Sequence, residues 1–184
     1  MANHFNYIWL MSVIIQSTRI VFREFLPTES PVYLNHFNNE FVTLYLPKRS
    51  TAERINIFNN ALNQYLITKR TGIWGLFSQT NGDFIGSCLL RPFNEEPGTV
   101  ELGYSLEQKY WRQGLGTEMA FAMITHAFSH ADVSEIVAVT VLENVGSRRV
   151  LEKAGFSRVD NLLRDGEELA FFKLKRPIAV KNKI

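Results

Sequence analysis

The 184-residue chain predicts one mixed α/β domain: a mostly antiparallel central sheet with one parallel step and helices on both faces. Two turn signals, Asn81-Gly82 and Pro97-Gly98, divide residues 73–106 into three strand-like runs, which makes an antiparallel meander. A strand, an apolar helix and a second apolar strand follow over 99–142, the pattern of a parallel crossover, which is nearly always right-handed. Hydrophobic residues make up 46% and charged residues 21%, so a core of ordinary size is available and the composition is not that of a disordered chain.

The elements can be taken in order. Ser17–Arg23 (STRIVFR) alternates like a first strand, and Ser30-Pro31 supplies an N-cap with proline at the first helical position. Ser50 and Glu53 have capping-box spacing, so a helix starts there, carries Ile55, Phe58, Leu62 and Tyr65, and ends near Thr71-Gly72. The meander strands are Ile73–Ser78, Phe84–Arg91 and Thr99–Leu106. Gly116–Ala131 is apolar over a broad face and reads as a helix lying on the sheet, while Ile136–Leu142 (IVAVTVL) is apolar throughout, as a doubly covered strand requires. Asn144 caps a further helix that ends at Gly155, and Asp165-Gly166 turns a last hairpin from Ser157–Leu163 to Leu169–Leu174. The expected organisation is an N-terminal extension over 1–16, one domain over 17–176 and a tail over 177–184, with residues 1–10 outside the fold.

Charge and cysteine content narrow the function classes. Lys and Arg number 20 against 18 Asp and Glu, with no clustered basic face, so nucleic acid is not an expected partner. Cys88 is the sole cysteine, which forbids an intrachain disulfide and fits a reducing cytoplasm. The apolar stretch Tyr7–Ile15 lacks a basic segment ahead of it and is shorter than the ~20 residues a membrane helix needs, so neither a signal peptide nor a membrane partner is expected.

The loop RQGLGTE, joining the strand at 99–106 to the following helix, is the first candidate site. Amides of Gln113, Gly114, Leu115, Gly116 and Thr117 at a helix N-terminus can donate to phosphate oxygens, and Lys109 and Arg112 add charge. A Walker A loop is excluded because Glu118 follows Thr117, and the dinucleotide fingerprint fails because Met119 stands where its third glycine belongs. Taken alone, the loop is equally a phosphate cradle or a tight turn.

The segment ENVGSRRVLEKAGF at 143–156 decides between them. With YWRQGLGTEM, the strand VELGYSL, the phrase GDFIGSC and the opening STRIVFRE, it resembles the GNAT N-acetyltransferases, in particular the RimJ/RimL ribosomal-protein branch, over residues 17–175. The resemblance implies acetyl-CoA as co-substrate and no metal. It also implies a sheet whose strands 99–106 and 136–142 splay apart, with the pantetheine arm in the gap on Tyr104, Ser105 and Leu106. The pyrophosphate would lie on Gln113–Thr117 with Arg112 close by, and Asn144 would act both as helix cap and as a contact to the arm. Trp111 occupies a position where the family usually has Gln or Arg.

The implied reaction is direct attack of a neutral amine on the thioester. An α-amine titrates near ~8 and lysine near ~10.4, a difference of about 3–4 kcal/mol in the assistance needed at neutral pH. That favours a protein or peptide N-terminus as acceptor, with a polyamine or aminoglycoside as the small-amine alternative and a non-catalytic acyl-CoA-binding module as the alternative outside enzymes. Glu101 is the expected base, because Val100, Leu102, Tyr104 and Leu106 share one face and leave Glu101, Gly103 and Ser105 on the other. Relatives place a tyrosine acid where this chain has Leu151, and the resemblance transfers that role to Ser147, which otherwise reads as an ordinary first-turn helix residue. A homodimer is compatible with the resemblance. Cys88 reads as packing; His126 and His130 read as surface or packing residues, and Arg148 and Arg149 as solvated helix positions.

Overall fold

The computed structural model describes residues 12–177, so the extension expected at 1–10 and the tail beyond Pro177 lie outside the described residues. The chain opens with a hairpin, β1 (Val13–Gln16) and β2 (Ile20–Arg23), closed by a bond from Ser17 N–H to the Ile20 carbonyl at 2.9 Å. Residues 13–16 therefore join the sheet. Ile14 and Ile15 pack against the main core, which gives this short apolar run a reason to pair. A 3-10 turn over Pro27–Glu29 leads into α1 (Ser30–His36), so the cap position falls on Glu29 and Ser30 is already helical. The Glu29 carboxylate accepts from Leu26 N–H at 2.8 Å and pairs with Arg23, which fixes the chain one residue earlier than Ser30-Pro31 suggests.

The short helix α2 (Glu40–Thr43) is capped by Asn39, and α3 (Thr51–Tyr65) starts on the expected box: Ser50 N–H donates to Glu53 at 2.7 Å and Glu53 N–H donates to Ser50 Oγ at 3.2 Å. The helix stops at Tyr65, whose hydroxyl ties it to the Ile73 carbonyl of the next strand. The meander is β3 (Gly72–Ser78), β4 (Phe84–Pro92) and β5 (Thr99–Leu106). Then come α4 (Leu115–Ser129), β6 (Glu135–Val141) and α5 (Val145–Lys153), followed by β7 (Ser157–Arg158), β8 (Leu162–Arg164) and β9 (Glu167–Lys175). The strand expected over 157–163 is two short pieces, both paired to β9. The Asp165-Gly166 turn has φ of 53° and 81°, the positive pair that a two-residue hairpin needs.

Strand order is β1-β2-β3-β4-β5-β6-β9-β7, with β8 on β9 and every pairing antiparallel except β5–β6. On one face α4 and α5 pack together, and Met119 and Met123 meet Trp74, Leu76 and Leu102 in the main core. On the other face α1 and α3 pack together over a ring cluster of Phe25, Tyr33, Phe58 and Phe77, with centroids between 5.2 and 6.3 Å apart along its contacts. Among the described residues, no helix is long and apolar enough to cross a membrane.

One close approach shapes the middle of the sheet. A Cβ on Gly86 would lie 2.2 Å from the Ser105 carbonyl oxygen and 2.8 Å from Leu106 Cα, so β4 can meet the end of β5 only without a side chain. Gly86→Ala should push β5 outward at 105–106 and lower the urea unfolding free energy by about 1–3 kcal/mol. An unchanged midpoint would show that β5 yields there freely.

Candidate active site

The parallel ladder between β5 and β6 is three pairs long: Thr99 with Glu135, Val100 with Ile136, and Glu101 with Val137. Beyond Glu101 the strands part, β5 staying with β4 as far as Leu106 and β6 staying with β9 as far as Val141. The facing backbone edges of residues 102–106 and 138–141 are left without each other as partners. Thr99 accepts from Phe93 on the β4 side and Glu107 N–H donates to Ile85 at 2.8 Å, so odd-numbered residues of β5 turn their peptides toward β4. Tyr104 and Leu106 turn theirs into the gap. Ser105, expected beside them on the arm, faces β4 with its backbone and the α1 side of the sheet with its hydroxyl.

The loop after β5 is built to leave amides free. Arg112 has φ 59° and Gly114 φ 80°, two left-handed positions that fold the chain back before α4 begins at Leu115. The first bond into α4 runs from Glu118 N–H to the Gly114 carbonyl at 3.0 Å, so the N–H groups of Leu115, Gly116 and Thr117 have no helical carbonyl to meet. Three contacts brace the loop from outside. Trp111 Nε1 donates to the Leu106 carbonyl at 2.8 Å, Arg19 donates to the Gln113 carbonyl at 3.0 Å, and Arg19 also pairs with Glu118 at 2.7 Å. Burial pushes the Glu118 carboxyl up, but hydrogen bonds from Ser17 and Arg19 outweigh it and hold the group below its ordinary range. Arg112 is exposed, Lys109 reaches Asp83 at 3.8 Å, and a groove of about 680 Å³ opens beside Gly114 and Thr117, with Lys153 on its rim.

The start of α5 faces the same gap. Asn144 caps the helix, its Oδ1 accepting from Ser147 N–H at 3.0 Å. The Tyr104 hydroxyl donates to Ser147 Oγ at 3.1 Å, joining β5 and α5 across the opening. Burial pushes the Tyr104 phenol up to about 12, so it stays protonated and stays a donor. Leu151 is buried in the core and carries no polar atom to the gap.

The opposite face of β5 holds Glu101 and Ser105, and neither stands alone. Glu101 is 6% exposed, and both of its oxygens accept from two guanidinium groups: Arg91 on β4 at 2.9–3.2 Å and Arg164 on β8 at 2.9–3.1 Å. The expectation that this carboxylate takes a proton from the acceptor thus meets a group whose lone pairs are already engaged. Ser105 Oγ lies 2.8 Å from His36 Nε2, and His36 Nδ1 lies 2.6 Å from Glu107 Oε1. The sequence singles out neither His36 nor Glu107, although Glu101, Gly103 and Ser105 share one period-2 face of β5 and Glu107 continues that spacing just past its end.

The remaining candidates are structural. Cys88 is buried with Sγ 3.6 Å from Met123 Sδ, and burial pushes its thiol far above the ordinary range, which suits packing and not nucleophilic attack. His126 Nε2 donates to the Lys69 carbonyl at 3.1 Å and its ring stacks edge-on against Trp74, while Arg148 donates to the Leu142 carbonyl at 3.1 Å. Among the described residues, no group of three His, Cys, Asp or Glu side chains is arranged to hold a metal.

Comparison with known proteins gives the family. The acetyltransferase (GNAT) domain matches residues 19–157. The N-acetyltransferase YoaA of Bacillus subtilis (strain 168) is 25% identical over 150 residues, which span 80% of this chain and 85% of YoaA. RimL, a ribosomal L7/L12 alpha-N-protein acetyltransferase solved with coenzyme A, superposes with a TM-score of 0.74 at 16% identity, covering 89% of this chain and 98% of RimL. The aminoglycoside acetyltransferase AAC(6')-Ib, also solved with coenzyme A, superposes with a TM-score of 0.68 at 18% identity, covering 85% of this chain and 95% of its own. The chain belongs to the GNAT acetyltransferase family, enzymes that move an acetyl group from acetyl-CoA to an amine nitrogen.

Proposed function

We propose that the acceptor is the α-amine of a protein or peptide N-terminus and that transfer is direct. The observation that carries the placement of acetyl-CoA is the gap between β5 and β6, which ends at the amides of the RQGLGTE loop. Tyr104 and Leu106 line one edge of it and Gln113, Gly114, Leu115, Gly116 and Thr117 supply donors at its mouth. Leu106 uses its carbonyl on Trp111, so its N–H and both peptide groups of Tyr104 remain for the arm. The Asn144 cap uses Oδ1 alone, which leaves its Nδ2 for the same arm.

Acetyl-CoA supplies the thioester carbon, and the chain supplies orientation on both sides of it. Tyr104 keeps its proton and directs it to Ser147 Oγ, which frees the Ser147 proton to point at the departing sulfur. Ser147 thereby acts as the donor to the leaving thiolate. Glu101, held by Arg91 and Arg164, ties β5 to β4 and β8 at the point where the strands part. An α-amine with a pKa near ~8 needs about 3–4 kcal/mol less assistance at neutral pH than lysine near ~10.4, which supports an N-terminal acceptor. The likeness to RimL supports the same choice.

Free CoA release, read with a thiol reagent, tests the acceptor class across alanyl and seryl N-terminal peptides, spermidine and kanamycin. Release with the peptides is the expected result; release with the small amines alone would move the acceptor to that class. Stabilisation of the protein by acetyl-CoA without release on any amine would contradict transfer. Ser147→Ala should lower kcat roughly 10²-fold and leave the acetyl-CoA Kd unchanged, as loss of one aimed donor does; an unchanged kcat would remove Ser147 from the mechanism. Gly114→Val puts a branched side chain at φ 80° on the phosphate loop, a strain of about 1–2 kcal/mol. The acetyl-CoA Kd should rise about tenfold, with kcat at saturating acetyl-CoA preserved.

A further inference from the structure

We propose that Ser105, His36 and Glu107 form a proton relay for the acceptor amine, in which Ser105 touches the amine, His36 receives the proton and Glu107 holds the ring. The inference rests on the acetyl-transfer reading and supplies what that reading lacks, a proton acceptor on the α1 face of β5.

The geometry has a direction. Glu107 as a carboxylate can only accept, so the 2.6 Å bond places the imidazole hydrogen on His36 Nδ1. Nε2 is then an acceptor, 2.8 Å from Ser105 Oγ, and the serine hydroxyl donates to it. Ser87 Oγ lies 3.3 Å from Ser105 Oγ on the β4 side. The ring is 1% exposed and is walled by Phe37 and Phe84 edge-on at 4.8 and 5.3 Å, whereas Ser105 is only half-buried. The acceptor therefore meets the hydroxyl and not the imidazole. Glu107 is itself pinned by its N–H bond to Ile85, so the line Glu107–His36–Ser105 joins the end of β5 to the last residue of α1.

The polar and charged groups around the ring are Glu107 just beyond β5, the Ser105 and Ser87 hydroxyls on β5 and β4, and the Arg54 guanidinium from α3. Burial lowers the His36 pKa, the hydrogen bond and charge of Glu107 raise it, and Arg54 lowers it again; the balance lies below the ordinary value of 6.5. The imidazole is neutral at pH 7 and free to accept.

The step balances. The amine nitrogen forms its bond to the thioester carbon and the carbon–sulfur bond breaks, the electron pair leaving on sulfur. One N–H proton passes to Ser105 Oγ as the Ser105 hydroxyl proton passes to His36 Nε2. The thiolate leaves hydrogen-bonded to Ser147 and is protonated from solvent, and His36 returns its proton to solvent through Ser105.

The test uses the full chain, acetyl-CoA and an alanyl peptide whose turnover by the wild type has been measured first, so the family activity is established separately. His36→Gln keeps a donor and an acceptor in the buried space without a base, and Ser105→Ala removes only the half-buried hydroxyl. Each should lower kcat about 10²-fold at pH 7 with the acetyl-CoA Kd unchanged, and the double variant should be no slower than the singles. In the wild type, log kcat/KM against pH should rise with slope 1 below the acceptor pKa of ~8 and steepen to 2 below the His36 pKa. Both variants should keep slope 1 throughout. Wild-type rates with the steeper acid limb intact, multiplicative losses in the double variant, or losses that follow weakened acetyl-CoA binding would each overturn the relay while leaving acetyl transfer in place.

Discussion

The structure depends on a ladder that stops. Three β5–β6 pairs are made, ending at Glu101 and Val137, and then two strands of one sheet run on without hydrogen-bonding each other. Backbone polar groups in such a place need partners, and the cost of leaving them unpaired is why the gap is proposed as a binding edge. The gap persists because each strand is committed elsewhere. β5 is paired to β4 through seven residues up to Leu106, and β6 to β9 through seven up to Val141. The missing side chain at Gly86 lets β4 press against the end of β5, which holds it on its own side of the opening.

That arrangement divides the chemistry between the two faces of β5. Its even-numbered side chains join the α4 and α5 core, where Tyr104 reaches Ser147, and the peptides of Tyr104 and Leu106 face the gap. Its odd-numbered side chains face α1 and β8, where Glu101 meets two arginines and Ser105 meets His36. On the proposed mechanism, a single strand carries the leaving-group side and the acceptor side of one reaction, one residue apart. The loop that follows fixes the third point, since Trp111, Arg19 and Glu118 brace its outside and leave its amides pointing elsewhere.

Much of this was legible in the sequence because it is local. The Ser50–Glu53 box, the Asn144 cap and the Asp165-Gly166 turn follow from residues within four positions of one another, and Thr99–Leu106 from one short run after the Pro97-Gly98 turn. The partners of Glu101 were not legible. Arg91 depends on strand register, and Arg164 returns from a hairpin 63 residues later. His36 and Ser105 are 69 residues apart and meet only once α1 lies across β5, so a histidine at the end of a seven-residue helix carried no signal of its own. The strand β1 falls inside the expected extension: four residues are too few to establish alternation, and the packing of Ile14 and Ile15 against the core distinguishes it.

The central claim is that acetyl-CoA completes the hydrogen bonding of the opened edge. Amide hydrogen exchange, resolved by residue with and without acetyl-CoA, measures this directly. The account predicts slowed exchange at Tyr104, Leu106 and Gln113–Thr117, with the β3–β4 amides unchanged. Tight binding of acetyl-CoA that leaves the Tyr104, Leu106 and Gln113–Thr117 amides exchanging as before would contradict it.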